Sequence, residues 1–317
     1  MLPVVTERAY GERLLDVLQG RRYPYSGQWE LTCRCNLKCV MCYTDPFNTP
    51  ERIRQELSTD EIVRILDELC EAGCMELCFT GGEPLARADF REIYGYAARK
   101  GFRLTVFTNG TLVTPLVADH FTAYPPARVE VSFHGLTAES FDAITQGPGS
   151  FERCLRAVQL LLERKVPVTI KSLGMTINRR EILQIKAMAA SLGSGVQFKF
   201  GADLRPRVDG AMDPYEYQLS EEEIESIEEA DAAMRAERKR QRDAKGGGPA
   251  QCGGGQYSFH IDAYGQLQLC SNNRRQGYDL RHGSFREGFY QAFPQFPCPK
   301  RTQQLVSVLQ PATAKER

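Results

Sequence analysis

Two hydrophobic periods alternate along the chain. From about Gln28 to Leu204, short strand-like runs are separated by longer amphipathic stretches with helical spacing. The strand candidates are "QWELTC", "MELCFTG", "RLTVFTNG", "RVEVSFHG", "PVTIKSLGM" and "VQFKFGADL". "STDEIVRILDELCEAG" and "RADFREIYGYAARKG" are among the helices predicted between them. The first opens with Ser58 and Thr59 ahead of Glu61, an N-cap signal, and closes at Gly73. "REILQIKAMAASLG" behaves similarly and stops at Gly193. Six strands each followed by a helix predict a parallel sheet with right-handed crossovers. Periodicity leaves open whether that sheet is doubly wound or curled into a partial barrel. In both, ligands gather at the carboxyl ends of the strands. Here those ends carry a cysteine cluster, "TGGEP", "TNG" and "SFHG".

Leu219 to Lys245 reads as one long helix, acidic at its start ("SEEEIESIEE") and basic at its end ("RAERKRQR"). That order suits the helix dipole, and the helix is expected to be solvated. "GGGPAQCGGG" reads as a hinge into a small C-terminal module, in which "YSFHID" and "QLQLC" flank "AYG" as a β-hairpin. The expected division is an N-terminal extension (1–27), a core (28–218), a charged helix with glycine-rich linker (219–249) and the module (250–317), ending in a polar tail.

The chain has 317 residues with 40 Lys plus Arg against 40 Asp plus Glu, a balance that argues against a nucleic-acid-coating protein. The N-terminal "MLPVVTERAYGERLLDVL" carries charges within its apolar positions, unlike a secretory signal, and no run reaches the roughly 18 apolar residues of a membrane span. A soluble, cytoplasmic protein is expected. Its 11 cysteines are then better read as metal ligands, redox groups or small hydrophobes than as disulfides. Cys70, Cys74, Cys78 and Cys154 sit in apolar patterns and read as buried thiols.

Cys33, Cys35, Cys39 and Cys42 are clustered in "LTCRCNLKCVMCY". The last three have the spacing C-x3-C-x2-C, and thiolates on one tight loop can each take one iron of a 4Fe–4S cubane, leaving the fourth iron open. The alternative is a structural zinc site that adds Cys33.

"CNLKCVMC", followed some forty residues later by "FTGGEPL", resembles the radical SAM superfamily over about residues 28 to 204. The resemblance implies a partial (β/α)6 TIM-type barrel, with the cluster on Cys35, Cys39 and Cys42 and with S-adenosylmethionine on its open iron. Reductive cleavage to a 5′-deoxyadenosyl radical would follow, fed by a flavodoxin- or ferredoxin-type reductant. Met41 replaces the family's usual aromatic, and Tyr43 follows the third cysteine as a cofactor-binding candidate. By resemblance Gly81, Gly82 and Glu83 contact the methionine amino group. Asn109 and Ser132 are expected to bond ribose or carboxylate, and Arg153 to pair with the methionine carboxylate. Lys171 and His134 are weaker candidates, and Cys33 is read as packing.

Cys252, Gly265 and Cys270 match C-x12-G-x4-C, and Cys298 follows. This resembles the opening of the SPASM and twitch extensions, shortened here because no cysteine follows Cys298. It implies one auxiliary iron–sulfur cluster on Cys252, Cys270 and Cys298, with a zinc or vestigial site as the alternative. Ser271 stands where sulfatase-maturing relatives carry an aspartate, which argues against that activity. The favoured expectation is oxidative modification of a peptide or small protein. About thirty residues precede the cysteine loop, too few for a winged-helix leader-binding domain, so a separate leader-binding protein is one expected partner. The alternatives are cofactor biosynthesis on a small molecule such as a porphyrin, and a non-catalytic iron–sulfur regulatory protein. No nucleic acid or membrane partner is expected.

Overall fold

The computed structural model describes residues 13, 17–18, 21–44, 48–207, 212–237, 239 and 253–298. The six expected strands are β1 (Ser26–Thr32), β2 (Glu76–Gly81), β3 (Arg103–Thr108), β4 (Arg128–Ser132), β5 (Val168–Leu173) and β6 (Gln197–Gly201). They pair in parallel in strictly sequential order. A doubly wound sheet reverses its strand order partway. Without a reversal, right-handed crossovers put the helices on one face. The sheet is therefore that of a partial barrel, with β6 at one edge.

Side-chain alternation agrees. Trp29 and Leu31, Leu77 and Phe79, Leu104 and Val106, and their counterparts on β4 and β5 share one buried core. The core's helical half comes from α2 (Thr59–Glu71), α3 (Phe90–Arg99), α4 (Pro115–Ala123), α6 (Ser150–Glu163) and α7 (Ile182–Ser191). Two shorter helices, α1 (Pro50–Gln55) and α5 (Ala138–Thr145), flank the cysteine loop's approaches. Each fully buried Leu, Ile or Phe contributes about 1.5–3 kcal/mol. The intervening strand residues, such as Gln28, Glu30, Cys78 and Glu130, are polar or small and face the opposite, concave side. A parallel sheet covered on both faces would instead read as continuous apolar runs. The start of α2 is fixed by the expected capping box of Ser58 and Glu61.

The hairpin of β7 (Ser258–Ile261) and β8 (Gln266–Gln268) forms as expected, with Gly265 at φ +87 in its turn. It does more than the sequence suggests. β7 pairs in parallel with β1, and β9 (Tyr278–Asp279) pairs with β8, so these strands extend the barrel sheet to nine. Phe259, Phe285, Phe289 and Phe293 pack ring to ring beneath them. The backbone N–H of Phe285 donates to Glu68 of α2 at 2.6 Å, and Arg281 pairs with Glu61 at 3.0 Å.

The long helix expected from Leu219 is divided. α8 (Glu221–Glu229) stops, and a second helix covers 232–237. Asp231 causes the break: its carboxylate accepts from the N–H groups of Ala233 (2.9 Å) and Met234 (3.0 Å) and pairs with Lys186. Most of the basic half, the "GGGPAQC" segment with Cys252, and the last nineteen positions lie outside the described residues. Among the described residues no helix is long and apolar enough to cross a membrane.

Candidate active site at the carboxyl end of the barrel strands

The cysteine loop begins where β1 ends, and Glu56 anchors it. The buried Glu56 carboxylate accepts from Thr32 Oγ1 (2.7 Å) and the Cys33 N–H (2.8 Å), and forms an ion pair with Arg34 (2.9 Å). Farther along, the N–H groups of Lys38 and Val40 donate to the carbonyls of Thr145 and Ile144 at the end of α5. Met41 is buried with Ile144, Met175 and Leu204, and Cys39 packs against them. The apolar Met41 thus serves as an anchor for the loop.

The two glycines of "TGGEP" are required by chain approach. A Cβ on Gly81, at φ +140, would lie 2.2 Å from the Thr32 carbonyl oxygen, and one on Gly82 would lie 2.4 Å from that of Arg34. The close partner is the cysteine loop itself: Gly82 and Glu83 donate their N–H groups to the Thr32 and Arg34 carbonyls.

Cys35, Cys39 and Cys42 are free thiols. Burial pushes Cys35 up to about 12, and the nearby Glu83 and Cys42 add to the rise. Burial also raises Cys39 and Cys42. The thiols are therefore protonated until a metal displaces their protons. Cys35 Sγ accepts from the Leu37 N–H at 3.5 Å and from Asn109 Nδ2 at 3.8 Å. Among the described residues no three His, Cys, Asp or Glu side chains converge as a ready site for a single ion. A cubane takes one thiolate on each of three irons, so three thiols on one loop fit it without meeting at a single ion. Cys33 is buried, and its thiol is pushed up to about 12 by burial and by Glu30.

The strand ends differ in what they present. Asn109 reaches both Cys35 and Asn36, the latter at 3.0 Å. Ser132 is half-buried on the concave face of β4. Tyr43 lies with its ring centre 5.8 Å from the Arg274 guanidinium and 5.9 Å from that of Arg205. Arg153 is exposed and donates to the Pro148 carbonyl at 3.3 Å. His134 is buried and accepts from the Leu173 N–H at 3.2 Å, and burial lowers it to about 4, so it is a neutral structural group. Lys171 stands 3.8 Å from the Phe107 ring centre and 3.6 Å from Glu130.

Glu83 is fully buried rather than open to a ligand. Its carboxylate accepts from Thr108 Oγ1 (2.9 Å) and from the N–H groups of Asn109 (2.7 Å) and Leu85 (3.1 Å), tying β2 to β3. Burial pushes it from 4.5 up to about 7 against those donors. A carboxyl group raised on folding stabilises fully below its unfolded value, and that contribution is lost as pH rises through the folded one. Wild-type stability should thus fall between pH 4.5 and about 7 by on the order of 3 kcal/mol more than in Glu83→Gln. Denaturant melts across that window read the difference, and equal slopes in both proteins would reject it.

Cys270 lies at the other end of the sheet. β8 runs antiparallel to β7, so Cys270 is level with the start of β1, and it shares a cavity of about 280 Å³ with Gln28, Cys78, Thr105 and Phe107. The seven residues of β1 put about 20 Å between the two ends. Asn273 links the Cys270 turn to the Cys298 segment: its N–H donates to the Cys270 carbonyl, and its Nδ2 donates to the Pro297 carbonyl at 2.9 Å. Of the four thiols expected to be buried, Cys74 and Cys154 are. Cys70 is exposed near the end of α2, and Cys78 lines the cavity because it alternates with Leu77 and Phe79.

Several charged residues were missed by sequence reasoning. Besides Glu56, Arg87 is buried, donating to the Leu31 (2.9 Å) and Leu57 (3.0 Å) carbonyls and pairing with Asp89. Glu30 is 2% exposed, and burial alone would raise its pKa. The neighbouring His260 and the Arg274 fork outweigh that and lower it to about 2. The signal for Glu30 was a carboxylate at the centre of an otherwise apolar strand, which needs a buried partner.

A family model for the Radical SAM superfamily matches residues 29–189, from β1 into α7. The AdoMet-dependent heme synthase of Methanosarcina barkeri is 37% identical over 166 residues, covering 52% of this chain and 47% of that protein. The mycofactocin maturase MftC of Mycobacterium tuberculosis is 31% identical over 272 residues, 81% of this chain and 67% of that protein. The chain thus spans about half the length of the heme synthase and two thirds of the maturase. Crystal structures of Streptococcus suis SuiB (TM-score 0.69, 13% identity, 92% of this chain and 73% of that one) and of anSMEcpe with bound AdoMet (0.65, 18%, 86% and 82%) share the fold. The family match covers the strands and loops that hold the three thiols, and the chain belongs to the radical SAM superfamily.

Proposed function

We propose that the protein reductively cleaves S-adenosylmethionine and uses the radical to modify a peptide or small protein oxidatively. The observation that carries the substrate class is the reach of the maturase match. At 81% of the chain it is longer than the barrel alone, whereas the heme synthase match covers 52%.

In this reading Cys35, Cys39 and Cys42 hold the radical cluster. When bound, the cluster and S-adenosylmethionine supply a low-potential electron and a 5′-deoxyadenosyl radical. The chain's own residues hold and orient. Gly81 and Gly82 let the second strand end close on the loop, Glu83 fixes Asn109, and Asn109 steadies the sulfur of Cys35. Asn109, Ser132 and Tyr43 are the side chains left to meet S-adenosylmethionine. Cys270 and Cys298, with Cys252, are the residues proposed to hold an auxiliary cluster, which would supply an electron acceptor for oxidative chemistry. A flavodoxin- or ferredoxin-type protein is the proposed reductant.

The second reading, a porphyrin-type small molecule, is favoured by the higher identity of the heme synthase match. One experiment separates them. Reconstituted wild type and Cys270→Ala are incubated with S-adenosylmethionine and either candidate precursor peptides or Fe-coproporphyrin III. Cys270→Ala should keep 5′-deoxyadenosine formation while losing peptide modification by mass. Conversion of the porphyrin, with every peptide unchanged, replaces the peptide reading.

A further inference from the structure

One side chain bridges the two cysteine sites. Arg274 lies four residues beyond Cys270, and its Nε donates to the carbonyl of Ser271, the residue after that cysteine, at 2.9 Å. Its Nη1 and Nη2 donate to the two oxygens of Glu30 at 2.8 and 2.5 Å. Its guanidinium carbon stands 5.8 Å from the ring centre of Tyr43, the residue after Cys42. Arg205 repeats the link, approaching the same ring at 5.9 Å and donating to Asn272 Oδ1. His260, fully buried, completes the surroundings of Glu30 at 3.5 Å and is itself held by Gln268 at 2.9 Å.

A fork of two charge-assisted hydrogen bonds to a buried carboxylate fixes a guanidinium in plane and direction. Glu30 belongs to the central part of β1, the strand that leads directly into the cysteine loop and pairs with β7 of the C-terminal hairpin, so the fork is anchored to an element shared by both sites. The Nε–H and the face of the same group are directed at the Ser271 carbonyl and the Tyr43 ring. Tyr43 and the Ser271 carbonyl thus meet one and the same group.

We propose that Arg274 is a positioning residue that couples the two cysteine sites, so that S-adenosylmethionine binding at the Cys35–Cys42 loop alters the environment of a cluster held by Cys270. This rests on the reading of Cys270 and Cys298 as auxiliary ligands. Coupling of this kind is reciprocal. The sites answer each other through a fixed contact, without a large movement.

The test uses the full chain reconstituted without oxygen, with iron and sulfide assays and electron paramagnetic resonance before and after adding S-adenosylmethionine. In wild type, both cluster signals should change. The paired variant Glu30→Gln/Arg274→Gln leaves no unmatched charge in the Glu30–Arg274 pair and so guards against simple unfolding. It should keep the full iron content and the response of the radical cluster, while the auxiliary signal no longer responds. Arg274→Lys, which keeps the charge without the fork, should restore part of that response. The inference is overturned if the paired variant's auxiliary signal still responds, if that variant loses auxiliary iron, or if wild type shows no auxiliary response. A Cys35/Cys39/Cys42→Ala variant that binds no iron would overturn the auxiliary-cluster reading itself, and so tells the two failures apart.

Discussion

Cys39→Ala is expected to lower 5′-deoxyadenosine formation by more than about 100-fold, since changes in outer-shell partners alone cost about 10- to 100-fold. No neighbouring thiol can substitute. Cys33, Cys74 and Cys154 are buried away from the loop's other thiols. Cys39 packs against Met41 and Ile144, so alanine there leaves the loop's anchor in place. The loss should therefore be chemical rather than structural. The check is 5′-deoxyadenosine by chromatography alongside iron content and a melting curve. An unchanged rate would remove Cys39 from the ligand set and with it the proposed cluster geometry.

Arg87→Ala should cost about 3–5 kcal/mol, the usual result of removing one partner of a buried ion pair. The guanidinium holds two carbonyls, those of Leu31 at the end of β1 and Leu57 ahead of α2, while pairing with Asp89. Alanine leaves both carbonyls without that donor and Asp89 without its cation. With total stabilities of about 5–15 kcal/mol, this is a large fraction. Because Leu31 leads into the cysteine loop, reconstituted iron should fall as well. Urea denaturation reads the first effect and an iron assay the second. A loss below about 1 kcal/mol would mean that Arg87 does not hold the loop's base.

Residue pairs close in sequence were legible. The capping box of Ser58 and Glu61 lies within one helical turn, the hairpin around Gly265 within one turn, and the three thiols within one loop. Each depends on local geometry that a few residues impose. Pairs distant in sequence were not. Arg274 and Glu30 stand 244 positions apart, and nothing in the spacing of either announces the other. The role of "TGGEP" was read as room for a ligand. The room is first taken by the carbonyls of Thr32 and Arg34. Glu83 looked like an open carboxylate, and its burial follows from donors on β3 that only strand pairing brings near.

The order of strands and helices, the six-strand parallel pairing and the chemistry of the thiol loop were determined by the sequence alone, because hydrophobic period and ligand spacing act over short stretches of chain. Only the tertiary structure decided that the sheet stays singly wound, that β7 joins it beside β1, and that the polar strand faces enclose buried ion pairs. Those outcomes depend on which distant surfaces meet. A buried charge such as Glu30 is tolerable only once its partner arrives from the far end of the chain.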